Sequence, residues 1–466
     1  MSLYQLPLNR VIERRLCRDL YAATDPSVFD PDGEVDEELC KIDVVQKELA
    51  WIQGAMETAW IVGDFVMAIP LGFVAERYGR RAVLLLNLVP RLCMLVWAVT
   101  VGYLEHLFPT KALLASPMLS ILGGDCVFNS IVYALASDLT EDRVLRASYF
   151  AYMSSTSYVV ALVGPALASA TMTLLLWLPF YIGVTLLVAS TWAIRILPPD
   201  QALAFGPETA GSSDSSRQPL LSSPVLKALD ARNSPLQAMV KRFRMMKSIL
   251  TSRPRNFALL LLSMFLTSLA SADTKLLVQY ISKRYHWTFA SAGYLLSGKA
   301  VVNFILLTII IPRLLAWRSS KRHQDDPQDG IYLTYTKVCI CISVLGAIAI
   351  ALADAVYLLV PSLFLYALGS ALPIFTFSLL KSPAVSPPLD AISGIQEGAG
   401  LAEETQVFSI VMLVKTLGSL IGAPLVAGCW IKGIALGGTA LGLPYIVSAC
   451  CYGFALFVVS GMRIDE

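Results

Sequence analysis

Residues 72–81 constrain this chain more than any other stretch, because they separate two apolar segments that are each long enough to cross a bilayer. The flanking segments are 51–73 and 82–104, and about 20 helical residues span the bilayer core. We therefore predict two membrane helices joined by a tight, charged turn. Arginines dominate the turn, and cytoplasmic loops carry an excess of Lys and Arg, so we expect this face to be cytoplasmic.

The turn reads GFVAERYGRR and resembles the signature loop between helices 2 and 3 of the major facilitator superfamily, G-x-x-x-D/E-R-x-G-R-R/K. Glu76 stands where Asp is more usual. The resemblance implies two helix bundles that rock about a central site, with the turn acting as a latch between helices on the cytoplasmic side. The gating-loop candidates that it implies are Gly72, Glu76, Arg77, Gly79, Arg80 and Arg81.

Composition and apolar segments predict an all-α membrane protein. The chain is 56% hydrophobic and 15% charged, whereas a soluble protein carries about 25% charged residues. We predict about eleven transmembrane helices, the pattern of a twelve-helix major facilitator fold without its first helix. The expected spans are 51–73, 82–104, 113–136, 147–170, 173–196, 257–281, 289–315, 338–352, 356–380, 408–430 and 434–459.

The order of polar and apolar stretches predicts the domain organisation. A Ser- and Pro-rich stretch that becomes basic divides the apolar segments into two groups, and such composition is typical of a disordered linker. The predicted units are a polar non-cytoplasmic segment at 1–49, an N-terminal bundle at 50–197, a cytoplasmic linker at 198–255, a C-terminal bundle at 256–461 and a cytoplasmic tail at 462–466.

The N-terminal 49 residues lack an apolar run long enough to span a membrane. Segments 6–14 and 39–46 resemble the loop between helices 1 and 2 in fungal relatives of the proton-coupled folate transporter family, and 269–280 looks similar to the same group. We therefore expect the first helix to be absent from this sequence. Cys17 and Cys40 lie in this stretch, and their pairing is left open.

No catalytic, cofactor or metal-binding motif supports an enzyme. The patterns HExxH, CxxC, GxSxG and the P-loop are missing, and the histidines are scattered. The formal net charge is +2, and no basic patch interleaved with aromatic residues suggests nucleic-acid binding. We expect no covalent chemistry, no cofactor and no nucleic-acid partner.

Ionisable side chains inside the apolar segments are the candidate site. A charge at membrane depth costs about 2.5–3.5 kcal/mol, so such residues are functional candidates by default. A fixed ion pair between helices is the structural alternative, which we favour for Glu57, Lys275 and Lys415. Candidates for substrate or proton binding are Asp125, Asp273, Arg91, Lys299 and Asn129, with Arg91 a candidate partner of Asp125 and Lys299 expected across from Asp273.

Two small-residue motifs occupy matching positions in the two halves. Gly164 and Pro165 interrupt the fourth predicted span, and Gly418, Gly422 and Pro424 interrupt the tenth. We interpret both as sites of close helix packing. The alternative is a functional break in the helix; the first motif also resembles a helix 5 motif of proton antiporters, although Ala168 replaces its final Gly.

These patterns predict a secondary active transporter that moves a small organic solute by alternating access and is driven by protons. The alternative is a non-transporting or truncated paralogue that acts as a membrane sensor, or a relic. We expect a monomer embedded in membrane lipid, in the plasma or vacuolar membrane.

Overall fold

The computed structural model describes residues 2–31, 33–78, 80–119, 124, 128, 131–132, 143–196, 255–311, 313, 328–380 and 400–462. Within these ranges the ordered elements are helices, and no strand occurs. A helix pairs the backbone groups of its interior within the segment, which is what a chain in lipid requires.

The described residues of the first half form five long helices. They are α1 (Ser2–Thr24), α2 (Asp43–Tyr78), α3 (Arg80–Tyr103), α4 (Arg143–Leu174) and α5 (Leu178–Ile196). Short 3₁₀ turns follow α1 and α3, and one of them, Glu38–Cys40, leads into α2. The helix α2 has 36 residues and is therefore about 54 Å long, which exceeds the thickness of a bilayer core.

Eight further helices occur in the part of the second half that the structure describes. They are α6 (Arg255–Ala270), α7 (Leu277–Tyr285), α8 (Phe289–Ile305), α9 (Gln328–Leu352), α10 (Val356–Leu368), α11 (Leu372–Leu380), α12 (Gly400–Leu436) and α13 (Leu443–Ser460). A 3₁₀ turn, Ser271–Lys275, joins α6 to α7, and Gly369–Ala371 joins α10 to α11. The predicted division of 338–380 into two helices is confirmed, since α9 ends at Leu352 and α10 begins at Val356.

Eight helical segments of the described chain are long and apolar enough to cross a membrane. They are Arg81–Tyr103, Leu178–Ile196, Arg255–Lys275, Phe289–Ile310, Tyr332–Leu352, Val356–Leu380, Ile410–Leu436 and Gly438–Ser460. The expected span 51–73 lies within α2, and most of the expected span 113–136 lies outside the described residues, as does the predicted linker up to residue 254. About eleven spans therefore remains a prediction.

The N-terminal segment is a helix, whereas its resemblance implied a loop. Residues Ser2–Thr24 form α1, which packs against α2, α4, α5 and α8. The polar sequence did not reveal this helix, because its charged groups are paired inside the protein. Arg15 is buried and donates to the carbonyl oxygens of Val101 at 2.7 Å and Phe108 at 2.5 Å.

A disulfide and a buried ion pair fix the connection from α1 to α2. Cys17 and Cys40 form a disulfide with their Cα atoms 5.4 Å apart. Lys41 Nζ lies 2.8 Å from Oε1 and 2.9 Å from Oε2 of Glu13, and both side chains are buried. Gln46 also donates to Glu13, at 2.5 Å. A buried charge is tolerated when it is paired and hydrogen-bonded, and this carboxylate has both.

The two halves meet through α2 with α12 and through α4 with α8. Each crossing has a glycine at the point of closest approach. A Cβ added to Gly54 would lie 2.6 Å from Cβ of Ala427, and one added to Gly293 would meet Oγ of Ser169. Neither glycine therefore leaves room for a larger residue without a shift of the neighbouring side chain.

Candidate functional site

A cavity of about 250 Å³ lies within the second half of the chain, between α6, α8, α9, α12, α13 and the α10–α11 junction. Most of its lining is hydroxyl-bearing, aromatic or basic. The lining residues are Met264, Thr267, Ser268, Ser271, Thr274, Lys299, Asn303, Ser343, Tyr366, Ala367, Gly369, Ser370, Leu372, Pro373, Thr376, Phe377, Lys415 and Tyr452.

Asp273 lies next to this cavity, behind one of its aromatic walls. It belongs to the 3₁₀ turn that follows α6 and has no exposed surface. Tyr366, from α10, donates its hydroxyl group to the carboxylate, 2.9 Å from Oδ1 and 3.0 Å from Oδ2. The hydroxyl group of Tyr452, from α13, lies 3.3 Å from that of Tyr366. A hydrogen-bonded chain therefore runs from the buried acid to the cavity wall.

A hydrogen bond at the end of α6 helps to fix the position of Asp273. Ser448 of α13 donates its hydroxyl group to the carbonyl oxygen of Ala270 at 2.9 Å. The last carbonyls of a helix lack partners within the helix, so this bond anchors the point where α6 tightens into the 3₁₀ turn. The turn then directs Asp273 toward Tyr366.

Two lysines face the cavity from opposite helices. Lys299 Nζ, on α8, lies 5.2 Å from the ring centroid of Tyr366, and Lys415 Nζ, on α12, lies 5.2 Å from that of Phe377. Lys299 is also close enough to Asp273 to attract its carboxylate. The structure thus brings together Asp273 and Lys299, which were predicted from separate apolar segments, around a tyrosine.

Two further polar atoms on the cavity wall are buried without a hydrogen-bond partner in the described part of the chain. They are Oδ1 of Asn303, on α8, and Oγ of Ser370, at the α10–α11 junction. An unpaired buried polar atom costs free energy, and a group bound in the cavity would satisfy both.

The predicted site in the first half is only partly described. Asp125 and Asn129 lie outside the described residues, and so the suggested pairing of Arg91 with Asp125 stays a prediction. Arg91 Cζ lies 5.4 Å from the ring centroid of Phe128. Asp64, on α2, lies against Gly124, whose carbonyl oxygen accepts a hydrogen bond from Asn87.

Three charges were interpreted as members of ion pairs: Glu57, Lys275 and Lys415. The structure places the first two near each other and the third elsewhere. Glu57 Oε2, on α2, lies 3.7 Å from Lys275 Nζ, so this pair joins the two halves. Glu57 also accepts a hydrogen bond from Gln5 at 3.1 Å. Lys415 instead lies on the cavity wall, against an aromatic ring.

The charged turn is described mainly by its backbone. Gly72, Glu76 and Arg77 are in the last turns of α2, which ends at Tyr78, and Arg80 and Arg81 begin α3. Gly79, between the two helices, lies outside the described residues. Arg81 donates to the carbonyl oxygen of Arg195, near the end of α5, so this residue contacts a neighbouring helix.

The small-residue motifs lie at helix contacts. A Cβ added to Gly418 would be 2.6 Å from the carbonyl oxygen of Phe265, and one added to Gly422 would be 2.6 Å from that of Leu269. Gly164 and Pro165 are buried on α4, and Pro165 lies beside Gly293 of α8. Pro424 is within α12 and exposed.

Comparison with known proteins identifies the family. A family model described as the Major Facilitator Superfamily matches residues 46–423. The chain belongs to this superfamily. The MFS efflux pump atnC of Emericella nidulans is 26% identical over 462 residues, which cover 99% of this chain and 84% of that protein. Such relatives support a transport function.

Solved structures share the superfamily fold. The nucleoside transporter NupG has a TM-score of 0.56 and 14% identity, with 100% of both chains covered. The human organic anion transporter MFSD10 has a TM-score of 0.53 and 15% identity, with 98% of this chain and 99% of that chain covered. At these identities the likeness concerns the fold.

Sequence reasoning missed the aromatic part of the site. Tyr366 and Tyr452 were not predicted, because a tyrosine in an apolar helix gives no signal of its partner. The hydroxyl-rich stretch of α6 and its 3₁₀ turn, residues 267–274, was the available hint, since Ser and Thr recur there beside the acid.

Proposed function

We propose that this superfamily member is a proton-coupled secondary transporter of a small organic solute. The observation that carries the proposal is Asp273, which is fully buried next to a cavity with hydroxyl-bearing and basic side chains in its wall and is bound to Tyr366 through both carboxylate oxygens. A buried carboxylate that exchanges a proton while its surroundings rearrange is the element that proton coupling requires. Two helical halves that move against each other would expose it alternately to the two sides.

Contacts between the halves support this rearrangement. Lys283, at the end of α7, lies 2.6 Å from Asp43, and Gln279 donates to Gln53. Both pairs join α7 to α2 at the end of α2 opposite the charged turn. Polar contacts of this kind separate at lower cost than an apolar interface, so they suit a gate between two halves.

The proposal also includes the direction of transport and the membrane in which the chain works. Relatives named as efflux pumps support export. We also propose that the chain is related to the proton-coupled folate transporter family, because segments 6–14 and 39–46 resemble a loop of its fungal relatives. We propose that the chain works as a monomer in the plasma or vacuolar membrane.

The test is solute movement in proteoliposomes that contain the purified full chain. An imposed pH gradient should drive accumulation of at least one solute of a broad panel of small organic compounds. Asp273→Asn should abolish the response to the gradient. Asp354→Asn is the matched control, because Asp354 pairs with Arg284 at an exposed loop away from the cavity.

Two results would contradict the proposal. If Asp273→Asn kept full dependence on the gradient, the coupling acid would be another residue. If the wild-type chain moved no solute of the panel under any gradient, the alternative of a non-transporting membrane sensor would be favoured.

A further inference from the structure

The charged side chains of the cavity wall all have the same sign among the described residues. Among the described residues that line the cavity, two side chains are basic and none is acidic. Neither Lys299 nor Lys415 forms a salt bridge with an acid in the described part of the chain; each is instead beside an aromatic ring. Two ammonium groups at membrane depth are costly, and a negative ligand would offset this cost.

Asp273, the acid next to this cavity in the described part of the chain, does not neutralise both lysines. Asp273 attracts Lys299, but its two oxygens accept the hydroxyl group of Tyr366, and it is not among the lining residues. With both lysines protonated and Asp273 ionised, these three groups sum to one positive charge. The cavity is therefore left with a cationic wall.

The uncharged residues of the cavity wall indicate what kind of ligand would fit the cavity. The rings of Tyr366, Phe377 and Tyr452 offer flat apolar surfaces. Oδ1 of Asn303 and Oγ of Ser370 have no hydrogen-bond partner among the described residues. Because side-chain amides are assigned from their surroundings, Asn303 is able to present either end to a ligand. The volume, about 250 Å³, is smaller than the usual pocket for a drug-sized molecule.

We propose that the cavity binds its solute as a small organic monoanion, with Lys299 and Lys415 contacting the anionic group and the aromatic wall contacting a planar apolar body. This names the substrate class of the transport site and rests on the proposed function. Lysine acts as a point charge rather than a fixed fork, so a carboxylate and other compact anionic groups fit equally well.

Equilibrium binding to the purified full chain in detergent tests the proposal without requiring transport. The probes are benzoate, salicylate and indole-3-acetate, each compared with its neutral amide and with an amine of matched size. At least one anion should raise the thermal unfolding temperature in a saturable manner, and its amide and amine should not. This comparison uses only the wild-type chain and does not depend on how any variant folds.

Variants then locate the binding. Lys299→Met and Lys415→Met should each weaken the binding of that anion roughly tenfold or more, because each removes a charge contact. Lys432→Met is the matched control, since Lys432 is an exposed lysine on the same helix as Lys415, and it should leave the affinity unchanged.

The outcomes separate this inference from the proposed function. Preference for the amide or amine probes, no stabilisation by any anion, or equal weakening by Lys432→Met would overturn the anion site, and proton-driven transport would be unaffected by that result. Anion binding that survives in a chain without a response to a pH gradient would support the site and refute proton coupling.

Discussion

Tyr366 holds both carboxylate oxygens of Asp273, although 93 residues separate the two in sequence. The bond joins α10 to the turn after α6 in the interior of the second half, where neither side chain has more than 7% of its surface exposed. The buried acid is thus connected to the cavity through one hydroxyl group.

We expect Tyr366→Phe to destabilise the protein, because the ring is kept and the carboxylate of Asp273 loses the hydroxyl group that donates to both of its oxygens. An unsatisfied buried polar group costs about 1–3 kcal/mol or more when it is charged, and the free energy of unfolding should fall by that amount. Titration with sodium dodecyl sulfate in mixed micelles measures it. Tyr452→Phe is the control, since among the described residues the hydroxyl group of Tyr452 contacts Tyr366 alone, at 3.3 Å. Equal losses of unfolding free energy in the two variants would show that the hydrogen bond to Asp273 does not account for the destabilisation.

Packing of α12 against α6 leads to a second prediction. A methyl group added at Gly422 would lie 2.6 Å from the carbonyl oxygen and 3.0 Å from the Cα of Leu269. Backbone atoms of a packed helix cannot move aside, so Gly422→Ala should cost about 1–3 kcal/mol of unfolding free energy.

Gly428 offers a matched control on the same helix. A Cβ added there meets nothing within 4 Å, and Ala favours a helix over Gly by up to about 1 kcal/mol. Gly428→Ala should therefore be neutral or stabilising in the same titration. A loss of stability in Gly428→Ala as large as in Gly422→Ala would contradict the close-packing interpretation.

The sequence was informative where a single residue or a local run carries the signal. Long apolar segments revealed the membrane helices, and a carboxylate within one of them identified Asp273 as a candidate. The family was likewise predicted from a ten-residue turn. These features depend on the cost of placing polar groups in lipid, which is a property of the residue itself.

Features that depend on a distant partner were not predictable in the same way. Tyr366 became important only because α10 places it opposite Asp273. The burial of α1 was missed because Glu13 and Arg15 look like surface residues. Only the fold brings Lys41 to Glu13, and the carbonyl oxygens at the end of α3 and just beyond it to Arg15. An apolar repeat at Leu8, Val11 and Ile12, all buried, was the helical signal that the charges concealed.

The disulfide between Cys17 and Cys40 gives a third prediction. Replacing both residues with Ser should lower the free energy of unfolding by about 3 kcal/mol, because the bond restricts the unfolded chain. Cys93→Ser should have little effect, since Cys93 is a free, exposed thiol. Thiol labelling of the denatured wild-type chain should detect two more thiols after reduction than before it. Equal labelling would show that the two cysteines do not pair.

The contact between Lys283 and Asp43 leads to the final prediction, which concerns the balance between conformations. Lys283 also donates to the carbonyl oxygen of Lys41, so it ties α7 to the start of α2 across the two halves. In Lys283→Met these contacts are lost only in the conformation that is closed at this face. Since a partly exposed ion pair contributes up to about 1 kcal/mol, the ratio of closed to open molecules should fall by up to about fivefold.

Crosslinking reports this ratio. Gln53 and Gln279 are in contact across the same interface, so a pair of cysteines introduced by Gln53→Cys and Gln279→Cys should crosslink in the closed conformation. The yield should fall when Lys283→Met is added. Arg284→Met is the matched control, because the neighbouring Arg284 pairs with Asp354 within the second half and should leave the yield unchanged. If both substitutions reduced the yield equally, the effect would come from a general loosening of α7, and Lys283 would not act as a tie between the halves.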